Sequence, residues 1–133
     1  MAIAHFTLAT RDVRGTSEFF AAALGWKPLN RPSNIPMAAA WLEIAPGQEL
    51  HLVEVADFTP SSFEREFGRH IAIACPQAEF AGLKERLRGQ GAEVIAPLRP
   101  TPFERFFFRD PNGYVFEVVP EERQTEARAR LDA

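Results

Sequence analysis

The chain has few of the features that mark exported or membrane-embedded proteins. It has a single cysteine, Cys75, among 133 residues, so no disulfide can form within the chain. No apolar run approaches the roughly 20 residues that a transmembrane helix needs. Residues 1–5 also lack the basic and apolar stretches of a signal peptide. We therefore expect a cytoplasmic protein that makes no contact with a membrane, and the length suits one compact domain.

Positive charge is also scarce. Fifteen Lys and Arg against 18 Asp and Glu give a net charge of -3, and the arginines are scattered along most of the chain. A nucleic-acid-binding surface needs clustered positive charge, so we expect no nucleic-acid partner. Cys75 ends an apolar run, which favours a buried structural thiol over a nucleophile.

The sequence contains two similar series of predicted elements. In the first, a strand over residues 3–9 precedes a helix that Asp12 caps and Gly25 ends, and strands follow at residues 26–29, 38–44 and 49–55. In the second, a strand over residues 70–75 precedes a helix with Phe80, Leu83 and Leu87 on one face. Strands then follow at residues 92–96, 103–108 and 114–119, the last two joined by an Asp-Pro-Asn-Gly turn.

The repeated order predicts an α+β protein built from two βαβββ modules. We place a single domain at residues 1–120, with module one at 1–58 and module two at 69–120, followed by a polar helix (residues 121–131) or tail (121–133). His5 and His70 begin the first strand of each module and lie 65 residues apart. The same offset applied to His51 falls one residue short of Glu117, which indicates an internal duplication with one inserted residue.

The only three histidines and one glutamate occupy similar settings. His5, His51, His70 and Glu117 each adjoin large apolar residues in a predicted strand. Because side chains alternate between the faces of a strand, these four are expected on the face away from the core. Imidazole and carboxylate groups bind Zn²⁺, Fe²⁺, Mn²⁺, Ni²⁺ or Co²⁺. From the residues alone, a shared divalent metal and four separate structural roles both remain open. Glu54 has the opposite parity to His51 in the same predicted strand, so it is expected on the other face and is a weaker candidate than His51.

Three segments resemble the glyoxalase/bleomycin resistance protein/dioxygenase superfamily, also called the vicinal oxygen chelate superfamily. The first is the His5 strand with the helix that ends in Glu-Phe-Phe-Ala-Ala-Ala-Leu-Gly-Trp at residues 18–26. The second is Phe-Gly-Arg-His-Ile-Ala-Ile at residues 67–73. The third and most specific is Phe-Phe-Arg-Asp-Pro-Asn-Gly-Tyr-Val-Phe-Glu at residues 107–117. The resemblance covers the chain as far as Pro120.

The resemblance implies a fold and a ligand set. Two modules would form a curved, open sheet around a metal, with helices outside, and small members of the family form homodimers that often share modules. The family's ligand positions correspond to His5, His51, His70 and Glu117. Glyoxalase I-like members generally have Glu at the position of His51, and related epimerases have Gln. His51 is therefore either a metal ligand or an acid/base residue.

The resemblance also implies an activity, for which three alternatives stay open. The first is a metal-dependent lyase or isomerase acting on a small oxygenated substrate, with Glu117 or His51 moving the proton. The second is a ring-cleaving Fe(II) dioxygenase with a His5–His70–Glu117 triad and His51 as acid/base residue. The third is a non-catalytic protein that binds an antibiotic or metabolite. The intact ligand set favours an enzyme.

Five side chains are candidates for the wall of a substrate pocket, although aromatic residues on strands are more often core. Arg109 and Arg105 can bind an anionic substrate, but we expect solvated side chains at both positions. The candidate pocket residues are Thr7, Trp41, Phe106, Phe108 and Arg109.

Two features of other family members are absent. The chain lacks the Gly- and Ser-rich loop and the later arginine of fosfomycin-modifying members, which disfavours that activity. It also has two modules where typical extradiol dioxygenases have four, which disfavours ring cleavage.

Overall fold

The structure, a computed structural model, describes residues 1–124. The chain divides into two compact units, Met1–Thr59 and a second that begins at Pro60. The first unit contains β1 (His5–Thr10), α1 (Val13–Leu24), β2 (Lys27–Leu29), β3 (Ala39–Ala45) and β4 (Gln48–Glu54). The second contains β5 (Ile71–Cys75), a 3₁₀ turn (Gln77–Glu79), α2 (Phe80–Gly89), β6 (Glu93–Ile95), β7 (Phe106–Arg109) and β8 (Val115–Pro120). The predicted βαβββ order is confirmed in both units.

The helix predicted for the C-terminus is described only at its start. Residues 121–124 are helical, and the rest of the predicted helix lies outside the described residues. Within residues 1–124, no helix is both long enough and apolar enough to cross a membrane.

Local sequence signals set the bounds of α1. The side chain of Asp12 accepts a hydrogen bond of 2.9 Å from the backbone N–H of Gly15, which satisfies one of the free donors of the first turn. Gly25 ends the helix with φ of 73°, a left-handed conformation that a glycine adopts at little cost. Phe19, Phe20 and Ala23 are buried on one side of the helix. The helix predicted between Asp12 and Gly25 is confirmed.

The first sheet has the strand order β1-β4-β3-β2, with β1 parallel to β4 and the other pairs antiparallel. Its helix face carries Leu42, Leu50 and Leu52, which are all fully buried. His51 lies beside Thr7 on one side and Trp41 on the other. Register and strand alternation therefore define a polar face, with His5, Thr7, Trp41, Glu49 and His51.

Glu54 lies on the opposite face from His51, as its parity predicts. Its Oε1 accepts a 3.3 Å hydrogen bond from the backbone N–H of Val13, the first residue of α1. A carboxylate at the N-terminus of a helix meets the positive end of the helix dipole. Glu54 is therefore bound to the start of α1 rather than to the histidines.

The second sheet repeats this arrangement with the order β5-β8-β7-β6. Its helix face carries Phe106, Phe108, Phe116 and Val118, and Phe80 of α2 meets Phe106 edge to face at 5.3 Å between ring centroids. Glu117 lies between Ala72 of β5 and Phe107 of β7. The polar face of this sheet is thus formed by Ala72, Phe107, Arg109 and Glu117.

Strand β7 is shorter than the sequence indicates. The predicted strand begins at residue 103, whereas β7 begins at Phe106. The hydroxyl of Thr101 donates a 2.7 Å hydrogen bond to the carbonyl of Phe103, which closes a local turn. Pro102, within this turn, has no N–H to donate to a neighbouring strand. The aromatic run 103–108 is therefore part loop and part strand.

Candidate metal centre

Three aromatic rings are stacked on the polar face of the first sheet. The rings of Trp41 and His51 are 3.8 Å apart between centroids with an interplanar angle of 6°. The rings of His51 and His5 are 4.0 Å apart with an angle of 17°. His51 is buried between them, at 9% exposure, while His5 is exposed at the end of the stack. Strand register causes this arrangement, because His51 faces Trp41 directly and His5 lies on the same face.

The edge of the His51 ring is bound to a carboxylate. Nε2 of His51 and Oε1 of Glu49 are 2.9 Å apart, and Glu49 lies two residues earlier on the same face of β4. A carboxylate only accepts hydrogen bonds, so the donor is Nε2–H. Nδ1 is therefore the nitrogen that keeps the lone pair, either for a proton or for a metal.

The stack limits what the two histidines can bind together. The lone pair of an imidazole nitrogen lies in the ring plane, and a metal sits about 2.0–2.1 Å from the nitrogen in that plane. The planes of His5 and His51 are nearly parallel and their centroids are 4.0 Å apart. A single ion cannot lie close to both planes at that distance. In this arrangement the first unit offers one ligand, not two, to any one metal.

The second unit holds a histidine and a carboxylate close together. Nε2 of His70 and Oε1 of Glu117 are 3.4 Å apart, and their side chains are 25% and 13% exposed. Nδ1 of His70 is buried without a hydrogen-bond partner among the described residues. An unsatisfied buried polar atom costs about 1–3 kcal/mol. The described residues therefore leave one ring nitrogen of His70 without a hydrogen-bond partner.

The other oxygen of Glu117 is bound by an arginine. Oε2 accepts a 2.9 Å hydrogen bond from Nη1 of Arg105, whose side chain is only 2% exposed. Nη2 of Arg105 lies 2.9 Å from Oε2 of Glu66. Burial alone would lower the pKa of Arg105, but the bonds to Glu66 and Glu117 raise it. Arg105 was expected to be solvated; it is instead buried, because two carboxylates neutralise its charge.

Glu66 is held by three donors. Its carboxylate accepts hydrogen bonds from the backbone N–H groups of Leu98 and Arg99 at 2.6 and 2.9 Å, as well as from Arg105. Burial alone would raise the pKa of Glu66, but these donors outweigh it and lower the pKa to about 2. Glu66 therefore stays ionised and keeps its charge beside Arg105.

The predicted pocket residues separate by strand parity. Thr7 and Trp41 share the polar face with His51, and Arg109 shares that of Glu117. Arg109 donates a 3.0 Å hydrogen bond to the carbonyl of Gly113 and lies 3.6 Å from Glu93, so it is already partly engaged.

Phe106 and Phe108 lie on the helix face, opposite Glu117, and are 2% and 0% exposed. This changes the expected pocket lining, because both are core residues. Phe107, which is itself only 1% exposed, lies beside Glu117. Its ring meets that of His70 edge-on at 5.4 Å and lies 5.2 Å from the guanidinium carbon of Arg105.

The four predicted ligands are thus found as two pairs, one in each unit. Within residues 1–124, no group of three or more His, Cys, Asp or Glu side chains is close enough to hold a metal ion. Burial raises the pKa of the Cys75 thiol, which disfavours its thiolate form. Glu49, Glu66, Phe107 and the burial of Arg105 were not predicted from the sequence. Parity along β4 and β7 would have found Glu49 and Phe107.

The repeated βαβββ order, with an open four-stranded mixed sheet in each unit, is that of the vicinal oxygen chelate fold. A family model described as the glyoxalase/bleomycin resistance protein/dioxygenase superfamily matches residues 2–118. The chain therefore belongs to the glyoxalase/bleomycin resistance protein/dioxygenase superfamily.

Relatives include plant and bacterial proteins. Glyoxylase I 4 of Arabidopsis thaliana is 26% identical over 121 residues, covering 86% of this chain and 67% of that protein. The genomically encoded fosfomycin resistance protein FosX of Listeria monocytogenes has a TM-score of 0.73 and 24% identity, over 94% of this chain and 97% of that chain. A mutant of FosX complexed with Mn(II) and 1S,2S-dihydroxypropylphosphonic acid has a TM-score of 0.69 and 23% identity, over 88% and 87%. The two structures establish a shared fold.

Proposed function

We propose that the protein is a divalent-metal-dependent enzyme of the vicinal oxygen chelate type, with His5, His70 and Glu117 as metal ligands. The contact between Nε2 of His70 and Oε1 of Glu117 is the observation that carries this proposal. Superfamily members use divalent metals, as in the complex of FosX with Mn(II). Two imidazoles and one carboxylate also form a donor set that suits Zn, Fe, Mn, Ni or Co.

The separation of this pair fits two ligands of one ion. Two donor atoms that each lie about 2.1 Å from a tetrahedral metal are roughly 3.4 Å apart. His70 and Glu117 have this spacing, 3.4 Å. The stacked pair of the first unit does not fit as two ligands, so we assign its exposed member, His5, to the metal. When bound, the metal would act as a Lewis acid that stabilises negative charge on substrate oxygens.

His51 is the acid/base residue in this proposal. Glu49 accepts a hydrogen bond from Nε2–H, so the Nδ1 lone pair points away from Glu49. Trp41 and His5 hold the ring between them, so it stays oriented. Glu117 is less suited to move a proton, because Arg105 binds its Oε2 and Oε1 faces His70. Nδ1 of His51 would take a proton from carbon next to a carbonyl and return it elsewhere on the substrate.

The reaction that this arrangement supports best is glyoxalase-like lyase or isomerase chemistry on a small oxygenated substrate. Thr7 and Trp41 would contact that substrate, since they lie on the same face of the first sheet as His51. A ring-cleaving Fe(II) dioxygenase is the second candidate. It is favoured by the donor set itself, because two histidines and one carboxylate are the ligands of many non-haem iron oxygenases.

The test is the metal content of purified protein, measured by elemental mass spectrometry without metal from an affinity tag. We expect about one transition-metal ion per chain in the wild type, little in Glu117→Ala and His70→Ala, and retention in His51→Ala. Iron would favour the dioxygenase, and zinc, nickel, cobalt or manganese would favour proton transfer.

Two results would overturn parts of the proposal. If the wild type binds no metal after reconstitution with each ion, the enzyme proposal fails, and a non-catalytic pocket for an antibiotic or metabolite is the remaining function. If His51→Ala loses metal as completely as Glu117→Ala, His51 is a fourth ligand and the assignment of His51 as base is wrong.

We also propose that the protein forms a homodimer in the cytoplasm, as the family resemblance and the single cysteine suggest. Sedimentation equilibrium tests the first statement, since a single species with the mass of one chain would contradict it.

A further inference from the structure

Arg105 lies between two carboxylates in the interior of the second unit. Its side chain is 2% exposed, and those of Glu66 and Glu117 are 9% and 13% exposed. Nη1 binds Oε2 of Glu117, and Nη2 binds Oε2 of Glu66 and the carbonyl of Arg99, at 2.9, 2.9 and 2.7 Å. A planar guanidinium held at both ends has a fixed orientation, so it also fixes the carboxylate that it binds.

Stability alone does not account for this group. A buried ion pair adds little to stability compared with apolar residues of the same volume, because desolvation cancels most of the attraction. Nε of Arg105 is also buried without a partner among residues 1–124. The arrangement therefore carries an energetic cost that a simple structural role does not require.

We propose that Arg105 is a positioning residue for Glu117, an inference that rests on the proposed function of Glu117 as a metal ligand. By binding Oε2, Arg105 leaves Oε1 as the oxygen that faces Nε2 of His70. Glu117 then binds a metal through one oxygen only, and its carboxylate cannot rotate. Outer-shell groups of this kind orient metal ligands in many proteins.

Glu66 has a distinct part in this arrangement. If Arg105 paired with Glu117 alone, its positive charge would cancel the charge of Glu117 and weaken Glu117 as a ligand. With Glu66 included, the three side chains carry a net charge of about -1, so Glu117 keeps its attraction for a cation. Glu66 is fixed in turn by the N–H groups of Leu98 and Arg99, which hold it against Arg105. Glu66 therefore acts on the metal through Arg105.

The experiment measures the Kd for Co²⁺ by chelator competition, together with the visible absorption of the bound Co²⁺, in the full-length chain. The variants are Arg105→Met, Arg105→Lys and Glu66→Gln. Lys84→Met is the matched control, because Lys84 also pairs with a glutamate, Glu104, at 3.7 Å, and stacks on Phe106 away from Glu117.

We expect Arg105→Met to raise the Kd about 10- to 100-fold and to change the Co²⁺ spectrum, because the lost orientation of Glu117 outweighs the removal of one positive charge. Glu66→Gln should also raise the Kd, Arg105→Lys should restore part of the affinity, and Lys84→Met should match the wild type. Circular dichroism gives the folded fraction, so that each Kd refers to folded protein. If Arg105→Met does not fold, the comparison of Arg105→Lys and Glu66→Gln with the wild type decides.

If the variants bind Co²⁺ with the wild-type Kd and spectrum, and only the metal-free protein is destabilised, the role of Arg105 is structural and the inference is wrong. If the wild type itself binds no Co²⁺ or other ion, the proposed function fails instead. The two failures are therefore distinct.

Discussion

The two units have equivalent backbone positions in their sheets, but different side chains surround those positions. In both sheets the central residue of the last strand lies between the first strand and an aromatic residue of the third: Thr7, His51 and Trp41 in one, Ala72, Glu117 and Phe107 in the other. The turn glycines Gly47 and Gly113 also correspond, with φ of 79° and 96°. The duplicated backbone thus provides two equivalent positions for functional side chains.

The neighbours of those positions differ. His51 is held by stacked rings and by Glu49, whereas Glu117 is held by Arg105 and faces His70. Glu49 has an apolar counterpart, Val115, in the second unit, and Arg105 has a small one, Ala39, in the first. The fold therefore fixes where these two side chains lie, and different residues surround each of them.

The helix faces of the two sheets also differ. Alanine substitutions on these faces test the difference and have the largest expected effect on stability. The first unit buries leucines where the second buries phenylalanines, as at the corresponding positions Leu50 and Phe116, both 0% exposed. We expect Phe116→Ala to lower the free energy of unfolding by about 3–5 kcal/mol and Leu50→Ala by about 2–5 kcal/mol. Phe116→Ala should cost more, because the ring also stacks on Phe108 at 5.1 Å.

Urea denaturation followed by circular dichroism measures both variants. Val55→Ala is the control, because Val55 is 37% exposed and should change stability by less than about 0.5 kcal/mol. A cost for Leu50→Ala that exceeds the cost for Phe116→Ala would show that the stacked rings add nothing to the second core.

The turn between β7 and β8 contains a buried carboxylate, Asp110, whereas the turn at residues 46–47 between β3 and β4 contains none. Asp110 gives the second-largest expected effect on stability. Asp110 is 5% exposed, and burial raises its pKa from 3.8 to about 6, although the N–H groups of Asn112 and Tyr114 stabilise the charged form. The folded protein then binds a proton in this range that the unfolded chain has released. Stability therefore falls as the pH rises from about 4 to about 6.

The expected fall is roughly 3 kcal/mol at most, at about 1.36 kcal/mol per pKa unit. Asp110→Asn should remove this slope, because an amide oxygen can accept the same two N–H bonds without a charge. The measurement is the free energy of unfolding at pH 4, 5, 6 and 7. Equal slopes in the wild type and Asp110→Asn would contradict the prediction.

Glu66 affects stability in a lower pH range. Its lowered pKa stabilises the fold above pH 4.5, and that contribution is lost as the pH falls toward 2.

Sequence reasoning succeeded where the signals are local. Asp12 and Gly25 bound a helix because capping depends on residues within one turn. Alternation along β4 and β8 placed His51 and Glu117 each on the face of its own sheet opposite the helix, because strand geometry has a period of two residues. The family follows from the same kind of signal, the closing hairpin around residues 107–117.

It failed where partners are distant in the sequence. The burial of Arg105 depends on Glu66, 39 residues away, and on Glu117, 12 residues away. No local sequence pattern predicts these two ion pairs. Phe106 and Phe108 were expected in the pocket because they are aromatic, yet strict alternation from Glu117 across to Phe107 would have placed them in the core. The stacking of His5 on His51 depends on side-chain rotamers, which strand parity does not specify.

The smallest expected effect concerns how the two helices begin. α1 has a side-chain cap from Asp12, whereas α2 follows a 3₁₀ turn and has no side-chain cap at Glu79. Asp12→Ala should therefore lower the free energy of unfolding by about 0.5–2 kcal/mol. Gln77→Ala, at the corresponding position before α2, caps nothing and should cost less. Urea denaturation of both variants at one pH measures the difference. Equal costs would contradict the role of the cap, because Asp12→Ala keeps the backbone N–H that donates a 3.1 Å bond to the Thr10 hydroxyl and loses only the side-chain bond to Gly15. The asymmetry between the units would then be confined to their cores and their polar faces.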